Sequence, residues 1–191
     1  MKLSAVLSLI VLIAVLTAAC GEKEYKPEEI NEATDICVKC NMSVKDDAYA
    51  TQIITKDGQS LKFDDIGCMH EWTVENGNEN IGAEFVRDHN TNSWVKYETS
   101  YYAYDADFKT PMAYGVISFA NEESAKAYVS EQGKGVVMSA DDLAKHSWDV
   151  NRDMMDMETM EKHNEEMHDM GDKSTGEMDK MGDMNNGEAQ S

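Results

Sequence analysis

The chain has 191 residues and a formal net charge of −20, with two prolines, four cysteines and fourteen methionines. That length holds one ordinary domain with residues to spare. The charge excludes nucleic acid as a partner, since no basic patch offsets phosphate repulsion, and suits a solvated surface that attracts cations.

Lys2 precedes an apolar run from Leu3 to Leu16 that ends in Thr17-Ala18-Ala19-Cys20-Gly21. A basic start, a short apolar stretch and small residues before a cut site describe an export signal, here residues 1–19. The run is shorter than the ~20 residues a membrane-spanning helix needs. Small residues before a cysteine resemble a bacterial lipobox, with Thr17 where leucine is usual. The expectation is cleavage before Cys20, lipidation of its sulfur and an extracytoplasmic protein held at a bacterial membrane; a plain secretory peptide is the alternative. Residues 20–34, polar and charged, read as a tether lifting the domain off the membrane. Cys37, Cys40 and Cys68 remain, an odd set that cannot pair fully within one chain. Either a Cys37–Cys40 disulfide or a metal holding all three as thiolates fits an oxidising compartment.

The Cys37-Val-Lys-Cys-Asn-Met42 cluster opens the folded part. Tyr49–Thr55 predicts a strand, Lys56–Gln59 a hairpin turn and Ser60–Phe63 a second strand. Asp64 or Asp65 caps a helix running to about Val74 or Glu75, and helix capping accounts for these adjacent carboxylates. Asn76–Asn78 ends that helix, and Ala83–Arg87 is a strand. The order then repeats. Ser93–Tyr97, Tyr101–Tyr104 and Gly115–Phe119 are extended, Asn121 caps a helix over Glu122–Glu131, Gly133 and Gly135 break it, and Val136–Ser139 closes. The prediction is an α+β protein of two similar β-β-α-β halves with small sheets, about 35–90 and 91–149.

Residues 150–191 form a low-complexity tail. Beyond Val150 there is no Leu, Ile, Val, Phe, Tyr or Trp, yet nine of the fourteen methionines fall there. Such a segment buries too little apolar surface to offset its ordering entropy, so disorder or a loose helix is expected. Met160, His163, Met167 and Met170, with His168 alongside, follow helical spacing without any leucine, which suggests weak copper-capturing sites.

Within the domain, Cys37, Cys40, Met42, Cys68, Met69, His70 and Met112 are the candidate metal ligands. Thiolate and thioether donors select Cu(I), and imidazole is compatible with it. Zinc is the rival, through Cys37, Cys40, Cys68 and His70 as a Cys₃His set, but it leaves the neighbouring methionines unexplained. A thiol oxidoreductase is a third reading, weakened because Cys37-x-x-Cys40 does not open a helix. No Ser/His/Asp arrangement, phosphate loop or nucleotide fingerprint is present, so the chain is not read as an enzyme.

Taken together, Cys37-Val-Lys-Cys-Asn-Met42, Phe63-Asp-Asp-Ile-Gly-Cys-Met69, Thr110-Pro-Met-Ala-Tyr-Gly115 with Ile117-Ser-Phe119, and the Ala125–Gly135 segment resemble the NosL family over about residues 35–142. These are copper-binding lipoproteins that accompany nitrous oxide reductase. The resemblance implies a metallochaperone that binds Cu(I) and passes it to the apo-reductase, its partner. It also implies that Cys40 and Met42 form the family's cysteine–methionine motif and that Met112 is its methionine after proline. Some members carry a histidine ligand two residues beyond that methionine; here the position is Tyr114, and His70 or Cys68 would supply the missing donor. The tail has no counterpart in the family pattern.

Overall fold

The structure is a computed structural model that describes residues 23–154; the signal segment, Cys20 and the tail donors Met160, His163, Met167, His168 and Met170 lie outside the described residues. Strands β1 (Thr51–Thr55) and β2 (Ser60–Phe63) form an antiparallel hairpin with Thr51 opposite Phe63. Its turn is closed by the Thr55 and Gln59 backbones and by Gly58 at φ 97°, a conformation that costs glycine little. Helix α1 (Ile66–Asn76) follows, ended by Gly77 at φ 75°. Strand β3 (Ile81–Arg87) then returns beside β1.

The second half repeats this path. Strands β5 (Tyr101–Tyr104) and β6 (Val116–Phe119) pair, helix α2 (Glu122–Gln132) crosses, and β7 (Val136–Ser139) returns beside β5. Asn121 caps α2 as expected, accepting from the Ser124 N–H at 2.9 Å. A final turn of helix, α3 (Ala140–Leu143), starts from a reciprocal Ser139–Asp142 capping box. The outcome is an α+β fold of two small antiparallel sheets.

Two features differ from the sequence reading. The extended stretch near residue 94, grouped there with the second half, is β4 (Trp94–Lys96) and pairs with β3, so the sheet orders are β2-β1-β3-β4 and β6-β5-β7. The cause is the short turn after β3, where the buried Asp88 carboxylate accepts from the Thr91 N–H and hydroxyl and sends the chain straight back. Asp88 also accepts from the Ala120 N–H at 2.9 Å, which fastens the end of β3 to the start of α2.

Residues 23–34, read as a free tether, are docked at least through their first half. Tyr25 packs its ring against Gly82, where a Cβ would come within 2.5 Å of it. The buried Gln52 amide exchanges two hydrogen bonds with the Glu28 backbone. Lys62 donates to the Glu29 carbonyl at 2.9 Å, and Ile30 packs on the main core. An unpaired Gln inside a sheet face would cost about 1–3 kcal/mol, so this segment satisfies a buried group as well as covering apolar surface.

Candidate metal centre

Cys37 to Met42 forms a tight loop above a single antiparallel bridge between Ile36 and Ser43. The Cys37 N–H donates to the Met42 carbonyl at 2.8 Å and the Asn41 N–H to the Cys37 carbonyl at 3.0 Å. Asn41 sits at φ 62°, in the left-handed region that asparagine tolerates better than most residues. This reversal folds Cys40 back beside Cys37. The same CxxC spacing on an extended strand could not do so.

The other wall comes from the junction of β2 and α1. Consecutive side chains on extended backbone point to opposite sides. Asp65 (φ −149°, ψ 147°) therefore turns into the helix start, accepting from the Gly67 N–H at 2.8 Å, while Asp64 turns the other way, toward the cysteines. Cys68 follows on the first turn of α1. The three sulfurs of Cys37, Cys40 and Cys68 and one carboxylate oxygen of Asp64 all lie within 4.8 Å of one another. Cys40 Sγ lies 3.2 Å from Asp64 Oδ1, within hydrogen-bond reach, and all three cysteines are free. Ligands about 2.3 Å from a metal at tetrahedral angles stand about 3.8 Å apart, so the cluster fits an ion after small adjustments.

Its electrostatics are those of a cation site. Hydrogen bonds from the Cys40 and then the Cys68 thiol pull Cys37 far below the ordinary thiol range, helped by the Cys40 and Asp64 backbone N–H groups. Giving those bonds raises Cys40 and Cys68. Burial first, then the Cys37 charge, pushes Asp64 up to about 8. At neutral pH the four acidic groups thus do not all ionise together. Ionising all four needs a positive ion among them.

The structure brings together three of the seven candidate ligands, Cys37, Cys40 and Cys68, as a cluster. Met112 packs against the core group that holds the cysteines, and its N–H donates to Asp65 Oδ2 at 3.0 Å. Its loop is unusual in having Ala113 at φ 57° and Gly115 at φ 67°; left-handed backbone costs an alanine roughly 1–2 kcal/mol. Met42 is half-buried, and its carbonyl closes the cysteine loop. Met69 is buried in the core, and with His70 it lines a separate pocket of about 340 Å³. His70 is placed away from the sulfurs, its ring stacked on Trp148 at 4.3 Å. Residues two apart on a helix point about 200° apart, so Cys68 and His70 cannot serve one site. Among the described residues the side chains grouped with the three cysteines are those of a Cys₃Asp set, in which His70 has no part. Tyr114 lies flat against Gly67, and its hydroxyl bonds the Glu71 carboxylate, well occupied as a packing residue.

Asp64 is the residue that sequence reasoning missed. The signal was there in the doubled aspartate: one cap needs one carboxylate, and alternation must aim the other elsewhere.

The model of the NosL family matches residues 27–148. No curated protein matches the chain. Among solved structures, the chain is similar to the copper chaperone NosL from Shewanella denitrificans, with a TM-score of 0.55 at 14% identity over 62% of this chain and 96% of that one. At that identity the likeness speaks for the fold alone.

Proposed function

Because the chain belongs to the NosL family, matched over residues 27–148, we propose that it is a Cu(I) carrier. It works outside the cytoplasm, is anchored through a lipid on Cys20, and supplies copper to the apo form of nitrous oxide reductase. The observation that carries this reading is the convergence of three thiols from a loop and a helix start within 4.8 Å. Soft sulfur donors in that number select a monovalent soft ion.

Transfer follows from unequal burial. Cys37 and Cys68 are 0% and 1% exposed, whereas Cys40 is half-open. Cys40 is the sulfur an acceptor's ligand displaces first, and the Asp64 carboxyl, already bonded to it, steadies the freed thiol. Cys37 and Cys68 hold the ion until a second acceptor ligand arrives. Met112, packed on the same core group as the cysteines, and Met42, whose carbonyl closes the cysteine loop, are proposed as further thioether donors.

One observation favours a second reading. Asp64 is a hard oxygen donor, and a Cys₃Asp set suits Zn²⁺ as well. Proton counting separates the two. Cys40 and Cys68 hold protons at neutral pH, so a Cu(I) bound by three sulfurs releases two. Its log K then rises by about two per pH unit until those thiols ionise unaided. A Zn²⁺ that also engages Asp64, raised to about 8, releases a third proton at pH 7. Anaerobic titration in weak buffer, with a competing Cu(I) chelator, reads both numbers. Zinc held more firmly than Cu(I) against their respective chelators would replace the carrier reading by a structural zinc module.

The tail is proposed as a weak auxiliary store. Truncation after Met154 is expected to lower Cu(I) stoichiometry while leaving the tight site intact. Unchanged stoichiometry would make residues 155–191 a solvated extension only.

A further inference from the structure

The docked N-terminal segment has a direction. Lys23 donates to the Lys56 carbonyl at the β1–β2 turn. Tyr25 sits at Gly82, close to the Ile54 carbonyl. Glu28 is bonded to Gln52, and Glu29 to Lys62 on the neighbouring strand. From Lys23 to Glu29 the chain thus climbs the outer face of the first sheet, from its hairpin turn to its far end. Asp35 bonds Lys62 at 2.7 Å, and the Val38 N–H donates to the Lys62 carbonyl at 3.1 Å. The cysteine loop therefore sits where the climb ends, beside the Thr51–Phe63 pair.

The hairpin turn and the metal centre are consequently opposite poles of one sheet. Five strand residues at about 3.3 Å each separate them by about 16 Å. The connection to Cys20 is short by comparison. Only Gly21 and Glu22 lie between Cys20 and Lys23, which allows a reach of at most about 10 Å.

We infer that the Lys56–Gln59 turn, with the adjoining Asn78–Asn80 loop, is the face this protein sets against the lipid surface, and that the sheet holds the cysteine centre at the pole turned away from it. The inference rests on the lipid anchor at Cys20. The first sheet acts as a rigid spacer in place of a flexible linker, and the docked segment fixes the orientation. The acceptor is therefore a soluble-phase protein surface that meets the upper pole, where Lys39 pairs with Glu71 and Glu75 beside the cysteine loop.

The test uses the full chain produced in a lipidating bacterial host and reconstituted into vesicles of phosphatidylethanolamine and phosphatidylglycerol. Mass analysis of the N-terminal peptide reads acylation of Cys20. Amide hydrogen exchange then compares the vesicle-bound protein with the unanchored Cys20→Ser protein. Severalfold slower exchange at Lys56–Gln59 and Asn78–Asn80, with Val38–Asn41 unchanged, is the expected result. Slowing at Val38–Asn41, or equal exchange at both poles, overturns the orientation while leaving the anchor standing. An unacylated Cys20 overturns anchor and orientation together. A flexible insertion of about ten residues after Glu22 should erase the slowing at the turn, because it removes the short connection that sets the geometry; slowing that survives it also overturns the inference.

Discussion

Cys68→Ser is expected to weaken Cu(I) binding by more than about a hundredfold, because losing even a hydrogen-bond partner of a ligand costs roughly 10- to 100-fold. Cys68 is buried, free and anchored on the first turn of α1, so no nearby thiol can move into its place. Cys40→Ser should do comparable damage to affinity and should also change the rate of hand-over, since Cys40 is the accessible sulfur. Asp64→Asn, which keeps the shape but removes the acid, falls in the outer-shell range for Cu(I). It also abolishes the third proton released by zinc. His70→Ala serves as the control and leaves the affinity of the cysteine centre unchanged, its ring being stacked on Trp148. Competition titrations on the four variants read all of this. Wild-type affinity in Cys68→Ser would remove the proposed centre; a loss in His70→Ala as large as in Cys68→Ser would restore the imidazole to it.

Asp65→Ala is expected to destabilise the fold by about 3 kcal/mol, combining roughly 1 kcal/mol for a helix cap with 1–3 kcal/mol for a second amide left without its partner. One carboxylate, 1% exposed, holds the Gly67 N–H on one oxygen and the Met112 N–H on the other. For a domain of this size that is a fall in Tm of about 10 °C, measured by calorimetry on the metal-free protein. The pH dependence carries a further signature. Burial raises the Asp65 pKa above its ordinary 3.8, so the native state keeps a proton that the unfolded chain has already lost. This contribution to stability is complete below 3.8 and drains away as pH rises through the native pKa. The alanine variant lacks that slope. A Tm within 1–2 °C of wild type would mean that the carboxylate is not the joint between helix and loop.

Local chemistry made much of the fold readable in advance. The turn at Gly58, the caps at Asp65 and Asn121 and the two β-β-α-β runs all announce themselves through backbone requirements that few residues meet. β4 was misplaced because three residues at a sheet edge carry no period of their own; its partner is chosen by the turn at Asp88, a tertiary decision. The docked N-terminal segment was hidden for a related reason. Tyr25, Pro27 and Ile30 stand among or beside the five charged residues of Lys23–Glu29, and nothing in that composition reveals a glycine shaped to receive a ring. At the centre, the cysteines were legible as metal-binding residue types. Asp64 was masked by its neighbour's plausible role, and His70 was admitted on proximity in sequence, which a helix converts into divergence in space.

The described chain ends against the Met112 loop and the start of α1. The Asn151 N–H bonds the Ala113 carbonyl next to Met112, Trp148 stacks on His70, and Met154 follows three residues later. The 37 residues from 155 to 191 continue the same chain from that point. Two binding groups joined by a short leash meet at millimolar local concentration. If the tail captures copper as proposed, its hand-over to the cysteines is an intramolecular step whose rate is insensitive to how dilute the protein is, and that dilution-independent phase should vanish once the tail is cut away.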